Sequence, residues 1–248
     1  MTLHLLSFRP DFDRLMRLAH REKLVPPGGD LGYALHAVFA ATFGEGAPRP
    51  FRLFSPGEPG GGPAGRLLAY SPRPLPDLTA HAATFADPTF AAPLALEDAE
   101  EKVMPTDFPV GTRLGFEVRI RPVARTGASP DGTVGARERD VYEGARVGES
   151  AHAARARVYT DWLARQFGHD GAARVERCEV TNLRQTRLMA RDRSPGARAP
   201  TAVGGPDACF TGELVVEASA PLAALLARGI GRFRAFGFGM VLLRPPTR

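Results

Sequence analysis

The most regular hydrophobic pattern in the chain is an alternation of apolar and polar or small residues over positions 113–121. The apolar positions, which would share one side of a strand, are Leu114, Phe116, Val118 and Ile120. Glu117, Arg119 and Arg121 would then point to the other side, because successive side chains of a strand alternate between its two faces. The pattern predicts a half-buried strand with a charged outer face.

Apolar runs and helical spacing of apolar residues predict further elements on both sides of this strand. The predicted strands are 3–8, 51–55, 66–70, 113–121, 174–188, 208–216 and 240–243. The predicted helices are 11–24, 31–43, 153–167 and one containing Leu222, Leu225 and Leu226. Asp30 is expected to be the N-cap of the second helix, and Gly44 to end it. Residues 71–110 give no clear assignment, whereas 126–150 and 189–206 are predicted to be loops.

The order of these elements predicts an α+β fold made of two tandem ferredoxin-like (RRM-like) domains. It runs roughly β-α-β-β and then β-α-β-β-α-β, and we place the join near residue 100. The first domain, 1–100, would carry the helix with Tyr33 and His36. The second, 101–248, would carry basic loops and a glycine-rich loop.

Near its end the chain combines glycine with arginine. The residues of this glycine-rich loop are Gly229, Gly231, Arg232, Arg234, Gly237 and Gly239. Glycine allows positive φ, consecutive amides can form an anion-binding nest, and the arginines add charge where a phosphate backbone would lie. The alternative is a helix C-cap followed by a buried strand. The spacing fits neither a mononucleotide nor a dinucleotide fingerprint.

The composition favours an anionic partner and a cytoplasmic location. The net charge is +5 and the pI is about 9.7, which suits nucleic acid, although a GC-rich genome also raises the arginine content. Cys178 and Cys209 show neither a pairing pattern nor metal spacing, as is usual in a reducing cytosol. We expect no signal peptide and no membrane span, since no apolar run approaches about 18 residues.

Arginines form three groups that could bind RNA through phosphates and 2′-hydroxyls. Besides Arg232 and Arg234 of the glycine-rich loop, they are Arg119, Arg121 and Arg125, then Arg184, Arg187, Arg191, Arg193 and Arg198. Each group alone could be an ordinary solvated face. Together, with one group inside a glycine loop, they favour nucleic acid binding.

One of the six histidines has a candidate catalytic partner. His36 lies three residues after Tyr33, so both would share one helix face and could form an acid–base pair at neutral pH. The alternative is an ordinary surface or core histidine. His20, on the preceding helix, has no tyrosine partner. No pair of histidines has metal spacing, so we expect neither a metal nor a cofactor.

Several segments, taken in order, resemble the CasE family of CRISPR repeat-RNA endoribonucleases from type I-E systems. They are 3–8, the Tyr-x-x-His helix 31–36, 110–122, 158–163, 210–215 and the terminal glycine motif 229–240. The resemblance implies two ferredoxin-like domains and metal-independent cleavage at the base of a repeat hairpin. It also implies that His36 is the general acid/base and Tyr33 its partner, and that the 2′-hydroxyl attacks to leave 2′,3′-cyclic phosphate and 5′-hydroxyl ends. The implied partners are the CRISPR RNA stem-loop and the Cascade backbone subunits, with target DNA reached only through the complex.

The chain departs from the family pattern in residues 10–30, where relatives have a short connection. The third catalytic group, often Lys or Ser in relatives, cannot be placed from the sequence, because no lysine follows His36 in its helix. Two other functions stay open at this point. One is a non-catalytic RNA-binding subunit of the same complex; the other is an unrelated ferredoxin-like metabolic enzyme.

Overall fold

A computed structural model of the chain describes residues 2–126, 137–143, 151–191 and 200–246. The strands are β1 (Leu3–Phe8), β2 (Phe51–Phe54), β3 (Arg66–Ser71), β4 (Glu100–Met104), β5 (Arg113–Ile120), β6 (Val123–Thr126), β7 (Arg137–Asp140), β8 (Ala173–Arg191), β9 (Pro200–Val216) and β10 (Val241–Arg244). The α-helices are α1 (Phe12–Arg21), α2 (Gly32–Phe43), α3 (Leu75–Phe85), α4 (Pro88–Ala91), α5 (Ala151–Gly168) and α6 (Ser219–Arg228).

Two four-stranded antiparallel sheets have the same internal order. The first is β2-β3-β1-β4 and the second is β10-β5-β9-β8. In each, the first and third strands of the unit lie at the centre and helices connect the strands, which is the ferredoxin-like arrangement. The predicted α+β class and ferredoxin-like fold are confirmed. The first sheet ends with β4 at Met104 and the second begins with β5 at Arg113, a few residues beyond the predicted join.

The hairpin of β8 and β9 is longer than predicted. Strand pairing continues from Ala173↔Val216 to Arg191↔Pro200, so most of the predicted loop 189–206 is strand. The predicted loop 126–150 likewise contains β7, which pairs with β6. Polar, glycine-containing strands lack the alternation that marks a half-buried strand, and cross-strand pairing alone reveals them.

The predicted charged outer face of β5 is wrong at two positions. Phe116, Val118 and Ile120 are buried as expected, but Arg119 and Arg121 are also buried, with 5% and 1% of their surface exposed. Alternation separates the two faces of a strand without saying which face meets water. Here the glycine-rich loop and buried carboxylates cover the second face.

The two sheets share one hydrophobic cluster. Leu68 and Tyr70 of β3 belong to the same cluster as Phe116 of β5 and Phe210 of β9. The Tyr70 hydroxyl also donates to the backbone oxygen of Val241 at 2.9 Å. A second cluster lies beneath α1, α2 and α3. Helix α2 is therefore anchored in the first unit while its N-terminal end reaches elements of the second.

Candidate active site

Helix α2 brings Tyr33 and His36 together on one face. Their ring centroids are 6.1 Å apart, as the three-residue spacing predicts, and both residues are partly buried. Neighbouring positions on the helix, including Ala34, Leu35 and Val38, are fully buried in the core. The packing of α2 thus holds the two rings at the edge of the protein instead of in its core.

Phe236 of the glycine-rich loop completes a cluster of three rings. Its centroid lies 5.7 Å from that of Tyr33 and 5.0 Å from that of His36, and it meets the His36 ring edge-on at 89°. Phe236 stands in a short 3₁₀ turn, Arg234–Phe236. Sequence reasoning missed this residue, because about two hundred positions separate it from His36 and no local pattern connects them.

The close approach of the loop explains why position 32 is glycine. A Cβ atom there would lie 2.0 Å from the Phe236 carbonyl oxygen, which no side chain tolerates. The Asp30 Oδ1 atom accepts a hydrogen bond from the Gly32 N–H at 2.7 Å. The N-cap position itself falls at Leu31, one residue after the predicted Asp30, whereas Gly44 ends the helix as predicted.

The electrostatic surroundings favour a neutral His36. Partial burial lowers its pKa below the ordinary 6.5, and the positive charge of Arg49 lowers it further. Arg49 is exposed, and its backbone N–H donates to the Tyr70 carbonyl oxygen at 2.9 Å. Sequence reasoning did not single out Arg49, since it lies in a connection between α2 and β2 that carries no motif.

Arg119 of β5, and Arg121 directly after that strand, are held inside the protein. Arg119 donates from Nε to Asp207 Oδ1 at 2.8 Å, and from Nη2 to Asp207 Oδ2 at 2.6 Å and Asp30 Oδ2 at 2.7 Å. Arg121 donates to the Thr186 carbonyl oxygen. These two predicted RNA ligands therefore bind carboxylates and a backbone carbonyl of the protein itself.

Phenylalanines of the glycine-rich loop cover both arginines. The guanidinium of Arg119 lies 4.4 Å from the ring centroid of Phe238. That of Arg121 lies 5.3 Å from Phe233 and 5.5 Å from Phe238. Such cation–π contacts are stronger when desolvated, so the loop and β5 stabilise each other.

The glycine-rich loop has the backbone of both predicted structures, a helix C-cap followed by a strand and a turn with glycines at positive φ. The Gly229 N–H caps α6 by donating to the Leu225 carbonyl oxygen at 2.8 Å, and a strand, β10, follows. All four predicted glycines have positive φ, namely Gly229, Gly231, Gly237 and Gly239. At Gly239 a Cβ would lie 2.1 Å from the Ile230 carbonyl oxygen. The predicted helix C-cap followed by a strand is therefore present, and the loop between them needs glycine at position 239, where a Cβ would meet a carbonyl oxygen.

Beside this loop lies an open basic cavity of about 340 Å³. Its lining includes Trp162, His169, Arg228, Arg232 and Arg234. Arg228 pairs with Asp170 at 2.9 Å, Arg232 pairs with Glu138, and Arg234 donates to the Arg228 carbonyl oxygen at 2.9 Å. The arginines are exposed, so their remaining N–H donors face the solvent.

The other predicted RNA ligands lie on β8, on β6 or outside the described residues. Arg184 and Arg187 of β8 are exposed, and Arg184 Nε also contacts Asp207 Oδ2 at 2.9 Å. Arg125 lies on β6 and Arg191 ends β8. Arg193 and Arg198 lie outside the described residues. The structure therefore brings Tyr33 and His36 close to the glycine-rich loop, and spreads the exposed arginines over two neighbouring regions.

His20 is separate from the ring cluster. It is exposed on α1, and its Nδ1 lies 2.8 Å from the Met16 carbonyl oxygen. In residues 2–126, 137–143, 151–191 and 200–246, no group of three or more His, Cys, Asp or Glu side chains is placed to hold a metal ion. Within the same described ranges, no helix has the length and hydrophobicity needed to cross a bilayer.

A family model described as CRISPR associated protein matches residues 5–245. The chain belongs to this family. The family assignment agrees with the resemblance to CasE predicted from the sequence. No curated protein matches the sequence significantly.

Solved structures of CRISPR-associated proteins share the fold. One is the CRISPR endoribonuclease Cse3 bound to a 19-nucleotide RNA, at 19% identity and a TM-score of 0.63, covering 99% of this chain and 100% of that one. Another is Thermus thermophilus Cse3 with an RNA representing a pre-cleavage complex, at 18% identity and a TM-score of 0.59 over the same shares. Cas6e from Escherichia coli K-12 matches at 18% identity and a TM-score of 0.54, again over 99% and 100%.

Proposed function

We propose that the protein is a metal-independent endoribonuclease that cuts CRISPR repeat hairpins in precursor CRISPR RNA in the cytoplasm. The observation that carries the proposal is the Tyr33–His36–Phe236 ring cluster, formed where α2 meets the glycine-rich loop. Family membership and the fold shared with Cse3 and Cas6e support it. So do the exposed arginines of β8 and of the glycine-rich loop.

In the proposed reaction, the RNA 2′-hydroxyl attacks the adjacent phosphate in line. His36 takes the 2′-hydroxyl proton, a role favoured by its lowered pKa, since a base must be neutral at working pH. The bond from phosphorus to the 5′-oxygen breaks, and Tyr33 supplies the proton that this oxygen takes up. The products are a 2′,3′-cyclic phosphate and a 5′-hydroxyl. The nucleophile belongs to the RNA, and in the proposed reaction His36 and Tyr33 carry the proton transfers without a metal or cofactor.

We assign the missing third group to Arg49. Its charge acts on His36, and a fixed cation beside the phosphate stabilises the charge that develops on the phosphorane. Arg49 would take the place that Lys or Ser has in relatives. Phe236 would hold the His36 ring by its edge-on contact.

RNA binding is proposed to use the exposed arginines Arg184, Arg187, Arg232 and Arg234, together with Arg125, Arg191, Arg193 and Arg198. Phosphate contacts from such side chains provide affinity and register. The chain is then proposed to stay on the 3′ hairpin and to join the Cascade backbone subunits through it. A surveillance complex contains a chain of the same fold, matching at a TM-score of 0.56 and 16% identity. Target DNA would be met only within the complex.

A non-catalytic hairpin-binding subunit is the alternative function. It would have the same fold and the same arginines, and would differ only in lacking cleavage. The ring cluster with a neutral His36 favours the nuclease, because RNA binding alone does not require a partly buried histidine of lowered pKa next to a tyrosine.

The test is incubation of the purified protein, in EDTA, with the hairpin repeat RNA encoded beside its gene. We expect one cut at the hairpin base, with a cyclic phosphate on the upstream product. The His36→Ala variant should bind the hairpin as the wild type does and leave it intact. His20→Ala is the matched control, because His20 is exposed on α1 away from the ring cluster, and should cut normally.

Each other result has a definite meaning. Tight hairpin binding without a cut would establish the non-catalytic alternative. Absence of both binding and cutting would refute an RNA function. Normal cutting by His36→Ala would move the base to another residue.

A further inference from the structure

Arg119 contacts both halves of the candidate active site from beneath. On one side its Nη2 donates to Asp30 Oδ2 at 2.7 Å, and Asp30 Oδ1 accepts from the Gly32 N–H, the first residue of α2. On the other side it touches the glycine-rich loop. Its guanidinium stacks on Phe238 at 4.4 Å, and its carbonyl oxygen accepts from the Gly239 N–H at 2.7 Å.

The anchor for these contacts is a buried carboxylate, Asp207. Asp207 on β9 takes two hydrogen bonds from Arg119 and is only 1% exposed. Arg119 itself belongs to β5, a central strand of the second sheet. A planar guanidinium held bidentately has a fixed orientation, so its third contact, to Asp30, has a fixed position as well.

We infer that Arg119 is a positioning residue that, through Asp30, sets the first turn of α2 against the glycine-rich loop and so places Tyr33 and His36 beside Phe236. This role rests on the proposed nuclease function for its effect on cleavage, although the placement itself does not depend on that function. Arg119 acts without touching RNA, since it is 5% exposed and bound to two carboxylates.

Asp30→Asn tests the role more cleanly than any change at Arg119, which would leave Asp207 buried without its main partner. Asparagine keeps an oxygen for the Gly32 N–H, and the backbone N–H of residue 30 still donates to the Arg187 carbonyl oxygen, a 2.8 Å contact. The amide nitrogen would replace Oδ2 and set a donor against the Arg119 Nη2 donor. The bridge therefore breaks while the turn and the Arg119–Asp207 pair remain.

The control is Arg113→Gln, on the same strand. This substitution breaks an ion pair of similar length, 2.9 Å to Glu176, but Arg113 is 63% exposed and stands at the first position of β5, six residues before Arg119. Thermal unfolding and circular dichroism would verify that both variants fold. Asp30→Glu serves as a second, conservative variant, which keeps the charge and should recover part of the activity.

Two measurements decide the matter. The first is single-turnover cleavage at saturating protein, with hairpin affinity measured separately. The second is the NMR chemical shift of the His36 Cε1–H, which depends on the ring current of the edge-on Phe236 ring. The resonance is assigned to His36 by its absence in His36→Ala. For Asp30→Asn we expect cleavage to fall by about 10- to 100-fold at unchanged affinity, with a displaced His36 resonance. Arg113→Gln should match the wild type in both.

Wild-type cleavage and an unmoved His36 resonance in Asp30→Asn would overturn the inference. So would slower cleavage without a displaced resonance, or a loss of hairpin affinity in parallel with cleavage. If the wild type did not cut at all, the proposed nuclease function would fail. A displaced resonance in Asp30→Asn would then still support the positioning role.

Discussion

Replacing Arg119 by Met should destabilise the protein far more than breaking an exposed ion pair on the same strand. Methionine keeps most of the side-chain volume, so the change removes charge and hydrogen bonds without opening a large cavity. Three hydrogen bonds of 2.6–2.8 Å are lost, two to Asp207 and one to Asp30. Among the described residues, Asp207 keeps the contact with Arg184.

Removing one partner of a buried ion pair costs about 3–5 kcal/mol. The remaining Arg184 contact places the expected loss near the lower end, about 3 kcal/mol, a large share of the roughly 5–15 kcal/mol by which domains are stable. Arg113→Met breaks the exposed pair with Glu176 and should cost about 0–1 kcal/mol.

Urea unfolding, read from the midpoint at constant m value, measures both variants. If Arg119→Met lost no more stability than Arg113→Met, the buried pair would not be a structural anchor and the reasoning would be refuted.

The stability difference between the wild type and Arg119→Met should depend on pH, in a direction set by the pKa of Asp207. Burial alone would raise the pKa of Asp207, but the hydrogen bonds and charge of Arg119, with the charge of Arg184, outweigh it and hold the pKa below the ordinary 3.8. A carboxyl group whose pKa is lower in the folded than in the unfolded state stabilises the folded state at pH values above its unfolded-state pKa. This stabilisation is lost as the pH falls through its folded-state pKa. The stability gap between wild type and Arg119→Met should therefore be full above pH 3.8 and shrink below it. A gap that widened in acid would contradict this assignment.

Three further predictions concern the proposed active site and RNA surface. Arg49→Gln removes a positive charge that disfavours protonated His36, so the pKa of His36 should rise in an NMR titration, and the acid limb of the cleavage profile should move to higher pH. Gly32→Ala should slow cleavage by about tenfold or more, because its Cβ meets a carbonyl oxygen at 2.0 Å. Gly168→Ala, with nothing within 4 Å of the added Cβ, should cleave normally. Arg187→Gln should weaken hairpin binding and lower the slope of log K against log salt by roughly 0.7–0.9; an unchanged slope would remove Arg187 from the phosphate surface.

Local patterns were sufficient for most elements and for the pairing of Tyr33 with His36, but they gave no assignment for 71–110, where the structure has α3, α4 and β4. Alternation and helical spacing are local properties, because a strand repeats every two residues and a helix every 3.6. The three-residue spacing alone puts both rings on one face. The extension of β8 and β9 to Arg191 and Pro200 was missed, because these parts of the strands pair through their backbones and carry no alternating apolar pattern.

By itself, the sequence determined the α+β class, the ferredoxin-like order and the helix that carries Tyr33 and His36. Only the tertiary structure decided that Arg119 and Arg121 are buried, that Arg49 acts on His36, and that Phe236 lies against both α2 rings. The physical reason is that burial, charge coupling and ring contact depend on distances through space. Two strand faces look alike in a sequence until a neighbouring loop and carboxylates such as Asp207 cover one of them.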